Sequence, residues 1–223
     1  MLRTLIRNLS LQDSLILDAG CGTGFARIEL GTAGTVIGLD SSIDAFATNR
    51  EHTSDCVASV ERTPFPDAAF DVVVALDLLE HLDDEETALR ELYRVCKPGG
   101  HLFVTVPAYQ WMWSRHDEAL GHHRRYSAKD LRNKVRHAGF SVHRISYVVS
   151  TMFLAAAAYR CIRKLLGKEG TGTDLAPVPE PLNMLLSGLM RMEVALAWLG
   201  VLPFGLSVML LARKDNSSAS GKP

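Results

Sequence analysis

The sequence of 223 residues, with 47% hydrophobic residues and a formal net charge of −1, predicts one globular domain or one domain with an insertion. The near-neutral charge argues against a nucleic-acid-binding protein, which usually carries a strongly basic face. The four cysteines are scattered without a C-x-x-C pair, which indicates a reduced, cytosolic setting. Residues 1–9 lack the continuous apolar stretch of a signal peptide and predict a short amphipathic lead-in.

Strand-like and helix-like patterns alternate along the chain. Apolar runs of strand length occur at residues 15–17, 35–39, 56–60, 70–76 and 101–106, followed by candidates at 140–147 and 207–213. Helices are predicted from residue 25, between the acidic residues 83–86 and Pro98, and from Ser127 to Gly139. This alternation is typical of an α/β fold with a parallel sheet and crossover helices.

A glycine-rich turn follows the first predicted strand. It reads Asp18, Ala19, Gly20, Cys21, Gly22, Thr23 and Gly24. Glycines at the carboxyl end of a buried strand let the backbone approach a ligand, and the next helix start offers unpaired N–H groups. The second predicted strand ends at Asp40, whose carboxylate would accept both hydroxyls of a ribose. The two features together indicate a site for a nucleotide-like ligand.

The spacing of the glycines restricts the class of ligand that this turn is expected to bind. The chain reads G-x-G-x-G, whereas the dinucleotide fingerprint reads G-x-G-x-x-G. The turn also opens with Asp18, a carboxylate that would repel a pyrophosphate and suits a cationic ligand better. An NAD-dependent oxidoreductase is therefore disfavoured.

Three further segments share the order and spacing of a known family. They are residues 64–73 before and within the fourth strand, 79–82 after it, and Lys97, Pro98, Gly99 and Gly100 before the fifth. With the glycine turn, they resemble the class I S-adenosylmethionine (SAM) methyltransferases, more closely the type 11 group that acts on small molecules. The resemblance covers about residues 14–149 and implies a Rossmann-like class I methyltransferase fold, a seven-stranded, mostly parallel sheet with an antiparallel last strand.

The same resemblance implies SAM as the cofactor. The implied binding residues are Asp18, Gly20, Cys21, Gly22, Gly24, Asp40, Ser41, Ser59, Val60, Leu76 and Asp77. Asp18 and the glycines would surround the methionine part, Asp40 would hold the ribose, and Asp77 would lie near the transferred methyl group. The family often has an Asp at the position of Ser59, so adenine recognition here is expected to involve Val60 and Glu61.

The segment 111–126 follows the fifth strand, where acceptors bind in such folds, and is dense in aromatic, imidazole and guanidinium groups. The candidate acceptor-binding residues are Asp117, His122, Arg124, Arg125 and Tyr126. In one interpretation the two arginines clamp a phosphate or carboxylate. In the other, Asp117 and Arg125 form an ion pair that pins the loop. Candidate bases for an acceptor hydroxyl are His81, His116 and His122.

A metal site is a further alternative. Asp77, Glu80 and His81 have D-x-x-E-H spacing, similar to the cluster of the metal-dependent RNA 3′-end methyltransferases, and His116 or His122 would supply the later histidine. The same Glu-His pair is frequent in this group without an established metal. The sequence alone therefore favours no metal.

Residues 150–204 separate the sixth and seventh predicted strands. Two apolar segments, 152–166 and 182–202, flank a link rich in Gly, Thr and Pro, which predicts a helical hairpin inserted into a domain of residues 1–149 and 205–213. Arg191 and Glu193 argue against a membrane span. The hairpin is interpreted as a lid, a homodimer interface or a membrane-surface anchor that uses an exposed Trp198 and a basic stripe at 160–164. The tail, 214–223, is predicted to be disordered.

These observations predict a SAM-dependent methyltransferase that acts on a small or lipid-like, anionic acceptor at a hydroxyl. Nucleic-acid methylation is disfavoured because Leu76, Asp77, Leu78 and Leu79 stand where an N-P-P-Y motif is expected. A non-catalytic, membrane-associated SAM-binding protein is the alternative from another class. The expected location is the cytoplasm, with the inner face of the membrane as an alternative.

Overall fold

The computed structural model describes residues 1–46, 55–153, 180–200 and 202–216. Seven strands within these ranges form one sheet: β1 (Ser14–Ala19), β2 (Gly34–Asp40), β3 (Cys56–Val57), β4 (Phe70–Leu76), β5 (Cys96–Pro107), β6 (Ser141–Val148) and β7 (Ser207–Arg213). Strands β1 to β5 pair in parallel, and β7 runs antiparallel between β5 and β6. The predicted α/β fold, with a mostly parallel sheet and an antiparallel last strand, is confirmed.

The sheet changes its direction of growth beside β1. Its order is β3-β2-β1-β4-β5-β7-β6, so β2 and β3 extend one side of β1 while β4 and β5 extend the other. The crossover loops after β1 and β4 therefore leave in opposite directions and open a crevice at the carboxyl ends of the strands. The residues predicted to bind the cofactor lie on the loops around this crevice.

Helices cover both faces of the sheet. They are α1 (Leu2–Leu9), α2 (Arg27–Leu30), α3 (Glu85–Val95), α4 (Arg115–Ala119), α5 (Ala128–His137) and α6 (Glu180–Trp198). One core cluster packs Leu89 and Leu92 of α3 and Leu131 of α5 on one face, and a second packs Leu5 of α1 and Trp198 of α6 on the other. Because both faces are covered, the central strands carry apolar residues on both sides rather than in strict alternation.

Three predicted boundaries differ from the structure. β3 contains two residues instead of the five predicted at 56–60, because after Ala58 N–H bonds to Asp40 O the chain leaves the sheet edge. β5 begins at Cys96 rather than at residue 101, since Cys96 pairs with Phe70 and Gly99 N–H donates to Lys214 O. The helix predicted from residue 25 is a single turn, α2.

Helix α6 is held against the sheet by two side chains. Trp198 is 4% exposed and stacks on Phe103 of β5, with the ring centroids 6.0 Å apart. The buried Glu193 carboxylate accepts hydrogen bonds from Thr151 N–H at 3.0 Å and Thr151 Oγ1 at 2.6 Å, and also from Ser150 N–H. The prediction that Trp198 is exposed as a membrane anchor is therefore wrong, because the ring fills the core between helix and sheet.

The other parts of the predicted hairpin and tail lie largely outside the described residues. These include the basic stripe of Arg160, Arg163 and Lys164, most of the first apolar segment and of the link, and residues 217–223 of the tail. The division into a domain and an inserted hairpin stays a prediction. None of the helices within the described ranges is both long and apolar enough to cross a membrane.

Candidate functional site

The glycine turn after β1 adopts backbone conformations that require glycine. Gly20, Gly22 and Gly24 have φ angles of +69°, +48° and +81°, in the left-handed region that residues with a Cβ rarely enter. A Cβ on Gly20 would also lie 2.6 Å from Leu78 Cδ1. Gly20 N–H and Cys21 N–H both donate to Leu39 O, at 2.7 and 3.1 Å. The turn is thus fixed against the end of β2.

Asp40 at the end of β2 joins this turn to the next one. Its Oδ2 accepts a hydrogen bond from Gly22 N–H and its Oδ1 one from Ser42 N–H, each at 2.9 Å. Each carboxylate oxygen has further acceptor capacity, so the half-buried group is oriented without being saturated. This is the arrangement expected of a carboxylate that accepts a pair of hydroxyls.

Asp18, the last polar residue of β1, is a buried acid without a hydrogen bond to its Oδ2. The residue is 2% exposed, and burial is the main cause that raises the pKa of its carboxyl to about 7. The positive charge of Arg27 lowers this pKa, whereas the negative charges of Asp55 and Asp40 raise it. Arg27 itself pairs with Asp55 rather than with Asp18. An unsatisfied buried carboxylate favours a cationic partner.

Gly20 and Asp40 line a cleft of about 220 Å³ at the switch in strand order, here called the switch-point cleft. It is lined by Gly20, Leu39, Asp40, Ser41, Ala58, Ser59, Val60, Glu61, Leu78, His81, Leu82 and Asp83. Leu39, Ala58, Val60, Leu78 and Leu82 form the apolar part of this lining. The cleft contains five of the eleven predicted cofactor residues: Gly20, Asp40, Ser41, Ser59 and Val60.

The remaining predicted cofactor residues lie around the switch-point cleft rather than in its lining. Cys21, Gly22 and Gly24 shape the turn, Asp18 lies at the end of β1, and Leu76 packs in the second core cluster. Five residues that line the cleft were not predicted from the sequence: Leu39, Ala58, Leu78, Leu82 and Asp83. Leu78, Leu82 and Asp83 belong to the segment after β4. They flank the one-turn 3-10 helix Leu79–His81. The sequence feature that could have indicated them is the short segment after β4, which has no helix-capping side chain.

A second cavity, of about 380 Å³, lies beyond β4 under helix α6 and is here called the α6 cavity. Its walls include Val148, Val149, Met190 and Val194, with the polar groups Asp77, Thr105, Glu193 and Ser207. Asp77 lines this cavity while its chain neighbour Leu78 lines the switch-point cleft. The loop after β4 therefore separates two cavities that differ in polarity.

A cluster of Glu80, His81 and His122 lies beside the switch-point cleft. Single ligand atoms of the three side chains all lie within 4.8 Å of one another. Glu80 is fully buried, neither of its carboxylate oxygens has a hydrogen-bond partner, and burial raises the pKa of this group to about 8. The ring of His81 meets that of His122 edge to face, with centroids 4.7 Å apart. His116 is outside the cluster, and its Nδ1 is buried without a partner.

The structure places both arginines of the candidate acceptor loop on internal partners. Arg125 Nε donates to Asp117 Oδ1 at 2.6 Å and its Nη1 to Ala108 O at 3.1 Å, in a pair that is almost fully buried. Arg124 pairs with Glu85 and also donates to Asp83 O. The interpretation of these arginines as an anion clamp is wrong for this conformation, because their charges are already neutralised. The alternative ion pair that pins the loop is the one formed.

Tyr126 is also placed differently from the acceptor-binding role suggested by its sequence position. Its side chain is fully buried in the core, and its hydroxyl has no hydrogen-bond partner. Burial is the main cause that raises its pKa, and Glu80 contributes in the same direction. Its backbone pairs with Pro107 and Tyr109 at the end of β5. Tyr126 thus anchors the loop that carries His122.

Comparison with known proteins finds methyltransferases that are similar to part of this chain. Residues 17–104 match the family described as Methyltransferase domain. A malonyl-acyl-carrier-protein O-methyltransferase from Erwinia billingiae is 39% identical over 102 residues, which cover 44% of this chain and 41% of that protein. A ubiquinone biosynthesis O-methyltransferase from Pseudomonas putida is 34% identical over 107 residues, which cover 44% of this chain and 46% of that protein.

Solved structures extend the likeness of fold to nearly the whole chain. A SAM-dependent methyltransferase from Archaeoglobus fulgidus superposes with a TM-score of 0.60 at 16% identity, over 95% of this chain and 92% of the other. By contrast, the aligned part spans only about half the length, or less, of the curated relatives, between 40% and 52% for the first three. The family match at residues 17–104 includes the glycine turn, Asp40 and the segment after β4.

Proposed function

We propose that the chain is a class I SAM-dependent methyltransferase, with SAM as its cofactor, and that it transfers the methyl group of SAM to an oxygen of a small, lipid-like acceptor. The cofactor residues proposed are those of the switch-point cleft together with Asp18 and the glycine turn. The acceptor is proposed to occupy the α6 cavity.

One observation is the main support for the proposed acceptor site. Asp77 and Leu78 are adjacent in the chain, yet Asp77 lines the α6 cavity and Leu78 lines the switch-point cleft. Methyl transfer is an in-line displacement on a carbon that the sulfonium already activates, so the protein's main task is to hold the acceptor atom opposite that carbon. A cofactor cleft and an acceptor cavity on the two sides of the loop after β4 are consistent with this requirement.

The lining of the α6 cavity supports an acceptor with an apolar body and a polar reacting end. Val148, Val149, Met190 and Val194 supply the apolar walls, and Asp77 and Thr105 form a polar end at the carboxyl ends of β4 and β5. Thr105 Oγ1 donates to Asp77 Oδ1 at 3.3 Å. Transfer to oxygen is further supported by the O-methyltransferases among the relatives.

The anionic character predicted from Arg124 and Arg125 is not part of this proposal. Both guanidinium groups are engaged by acidic side chains within the protein. The polar groups of the α6 cavity include the carboxylates of Asp77 and Glu193, which disfavour an anion at that site. A neutral hydroxyl compound with an apolar chain therefore fits better than a phosphate or carboxylate.

Titration calorimetry tests the cofactor assignment. We expect SAM to bind the purified protein, and the variant Asp40→Ala to weaken binding by about 30-fold or more, since it removes a charge-assisted acceptor for the ribose hydroxyls. Asp44→Ala is the matched control, because Asp44 is an exposed acid in the following turn and the charge change is the same. Binding of NAD without any response to SAM would contradict the proposal.

Methyl-labelled SAM tests the acceptor. The enzyme is incubated with a lipid extract and, separately, with alcohols of one head group and increasing chain length. We expect the label in the organic phase and a transfer rate that rises with chain length, because each added methylene is buried in the α6 cavity. Label found only in water-soluble or nucleic-acid fractions would contradict a lipid-like acceptor while leaving the cofactor assignment intact.

A further inference from the structure

We propose that Glu80, His81 and His122 bind a divalent first-row transition-metal ion beside the switch-point cleft. This inference goes beyond the methyl transfer proposed above, because binding of an ion can be measured without turnover. Glu80 and His81 lie on the 3-10 turn after β4, and His122 lies on the loop after α4. The fold thus joins two chain segments about forty residues apart into one set of donors.

The first support is geometric. One ligand atom from each of the three side chains lies within 4.8 Å of the others, a spread that one ion at ordinary ligand distances can span with small side-chain adjustments. The three residues differ in exposure: Glu80 is buried, His122 is half-buried and His81 is exposed. An ion bound here would be held from the core side by Glu80 and remain accessible from the cleft, which His81 also lines.

The second support is the unsatisfied carboxyl group of Glu80. The residue is fully buried, and neither carboxylate oxygen has a hydrogen-bond partner among the residues that the structure describes. Burying such a group without a partner costs several kcal/mol, and native proteins seldom retain one without a function. An ion bound to Glu80 would supply the missing positive charge and occupy a free lone pair.

The third support is the partner that orients His122. Its Nδ1 lies 3.0 Å from Asp117 Oδ1, which leaves Nε2 as the free ring nitrogen. Asp117 is itself fixed by Arg125 and by Ser114 N–H, at 2.6 and 2.9 Å. A carboxylate that orients a histidine through one ring nitrogen while the other faces a site is the usual outer-shell arrangement of metal-bound histidine.

The donor set indicates the class of ion. Two imidazoles and one carboxylate suit Mn²⁺, Fe²⁺, Co²⁺ or Zn²⁺, whereas Mg²⁺ and Ca²⁺ prefer oxygen ligands alone. Three protein ligands leave coordination positions open, as in catalytic rather than structural metal sites. The D-x-x-E-H spacing alone did not favour a metal. The placement of His122 and the unsatisfied Glu80 are what the structure adds.

The test is direct titration of tag-free, chelator-treated protein with Mn²⁺ and with Zn²⁺. We expect saturable binding of one ion per chain, and a loss of affinity of at least 100-fold in Glu80→Gln and in His122→Ala. His137→Ala is the matched control, since His137 lies at the end of α5, is exposed and is not part of the cluster. Asp117→Asn is expected to weaken binding by about 10- to 100-fold.

SAM binding measured on the same variants shows that they are folded and separates this proposal from the proposed function. Glu80→Gln that binds SAM normally but no metal supports the site. Absence of saturable metal binding in the unaltered protein, or equal binding in Glu80→Gln, overturns the site and indicates that Glu80 is simply protonated. In that case the SAM titration still decides the methyltransferase assignment independently.

Discussion

Asp18 shows how one buried, unpaired carboxyl group makes the stability of the fold depend on pH. Its carboxyl group is buried at the end of β1 with Oδ2 unpaired, and its pKa is raised from 3.8 to about 7. The folded, ligand-free protein therefore binds a proton at this site more tightly than the unfolded chain does. Stability contributed by the protonated group is complete at low pH and is lost as the pH rises towards 7.

The variant Asp18→Asn tests this pH dependence. Because a pKa difference of about three units corresponds to about 4 kcal/mol, we expect the variant to gain about 2–4 kcal/mol in free energy of unfolding over the unaltered protein at pH 8. The gain should disappear near pH 4, where Asp18 is protonated in both states. Thermal melts across this range, without SAM, measure it. A gain that does not change with pH would contradict the assignment.

The same variant is expected to weaken SAM binding by at least tenfold, because the amide cannot neutralise an ammonium group.

The residues of the candidate site differ in how far the sequence could predict them. Asp18 and Asp40 follow directly from strand ends and glycine spacing, which are local features. Arg125 could not be assigned correctly, since its buried partner Asp117 is set by the fold of the loop. The Glu80 carboxylate lacks a hydrogen-bond partner because of how the described residues pack around it. The spacing of residues in the sequence does not predict that packing.

Helix α6 matters because it closes the α6 cavity while it packs on the sheet. Trp198 stacks on Phe103, and Glu193 accepts hydrogen bonds from Thr151. Met190 and Val194 face the cavity, whereas Leu196 is 45% exposed on the opposite side. The sequence predicted an apolar helix here but not its orientation, because nearly every face of the segment is apolar.

Two substitutions on α6 distinguish a cavity wall from an exposed surface. Val194→Phe places a ring in the α6 cavity, so we expect at least a tenfold loss of methyl transfer to a long-chain acceptor, with SAM affinity unchanged. Leu196→Phe adds a ring on the exposed side and should change neither. Initial rates and SAM titrations on both variants give the comparison. Equal activity in the two variants would exclude the α6 cavity as the acceptor site.

The whole sheet is completed by residues distant in sequence. β7 pairs with both β5 and β6, and Gly99 N–H of β5 bonds to Lys214 O. The sequence predicted all seven strands because each is an apolar run of the right length. The exact ends of β3 and β5 escaped prediction, since they depend on cross-strand partners such as Phe70 for Cys96. Local patterns thus predict which strands exist, whereas pairing determines where they stop.

This placement of β7 predicts that the folding of the switch-point cleft depends on β7, although β7 contributes no residue to the lining of that cleft. Val208, Met209, Leu210 and Leu211 are buried in the two core clusters, and burial of four such side chains contributes about 6–12 kcal/mol. A typical domain has about 5–15 kcal/mol of net stability. A chain that ends at residue 206 should therefore show no cooperative melt and no SAM binding, although it keeps every residue that lines the switch-point cleft. A chain that ends at residue 216 should retain both, as expected if the tail is disordered. Full SAM affinity in the shorter chain would instead mean that the first half of the sheet folds without β7.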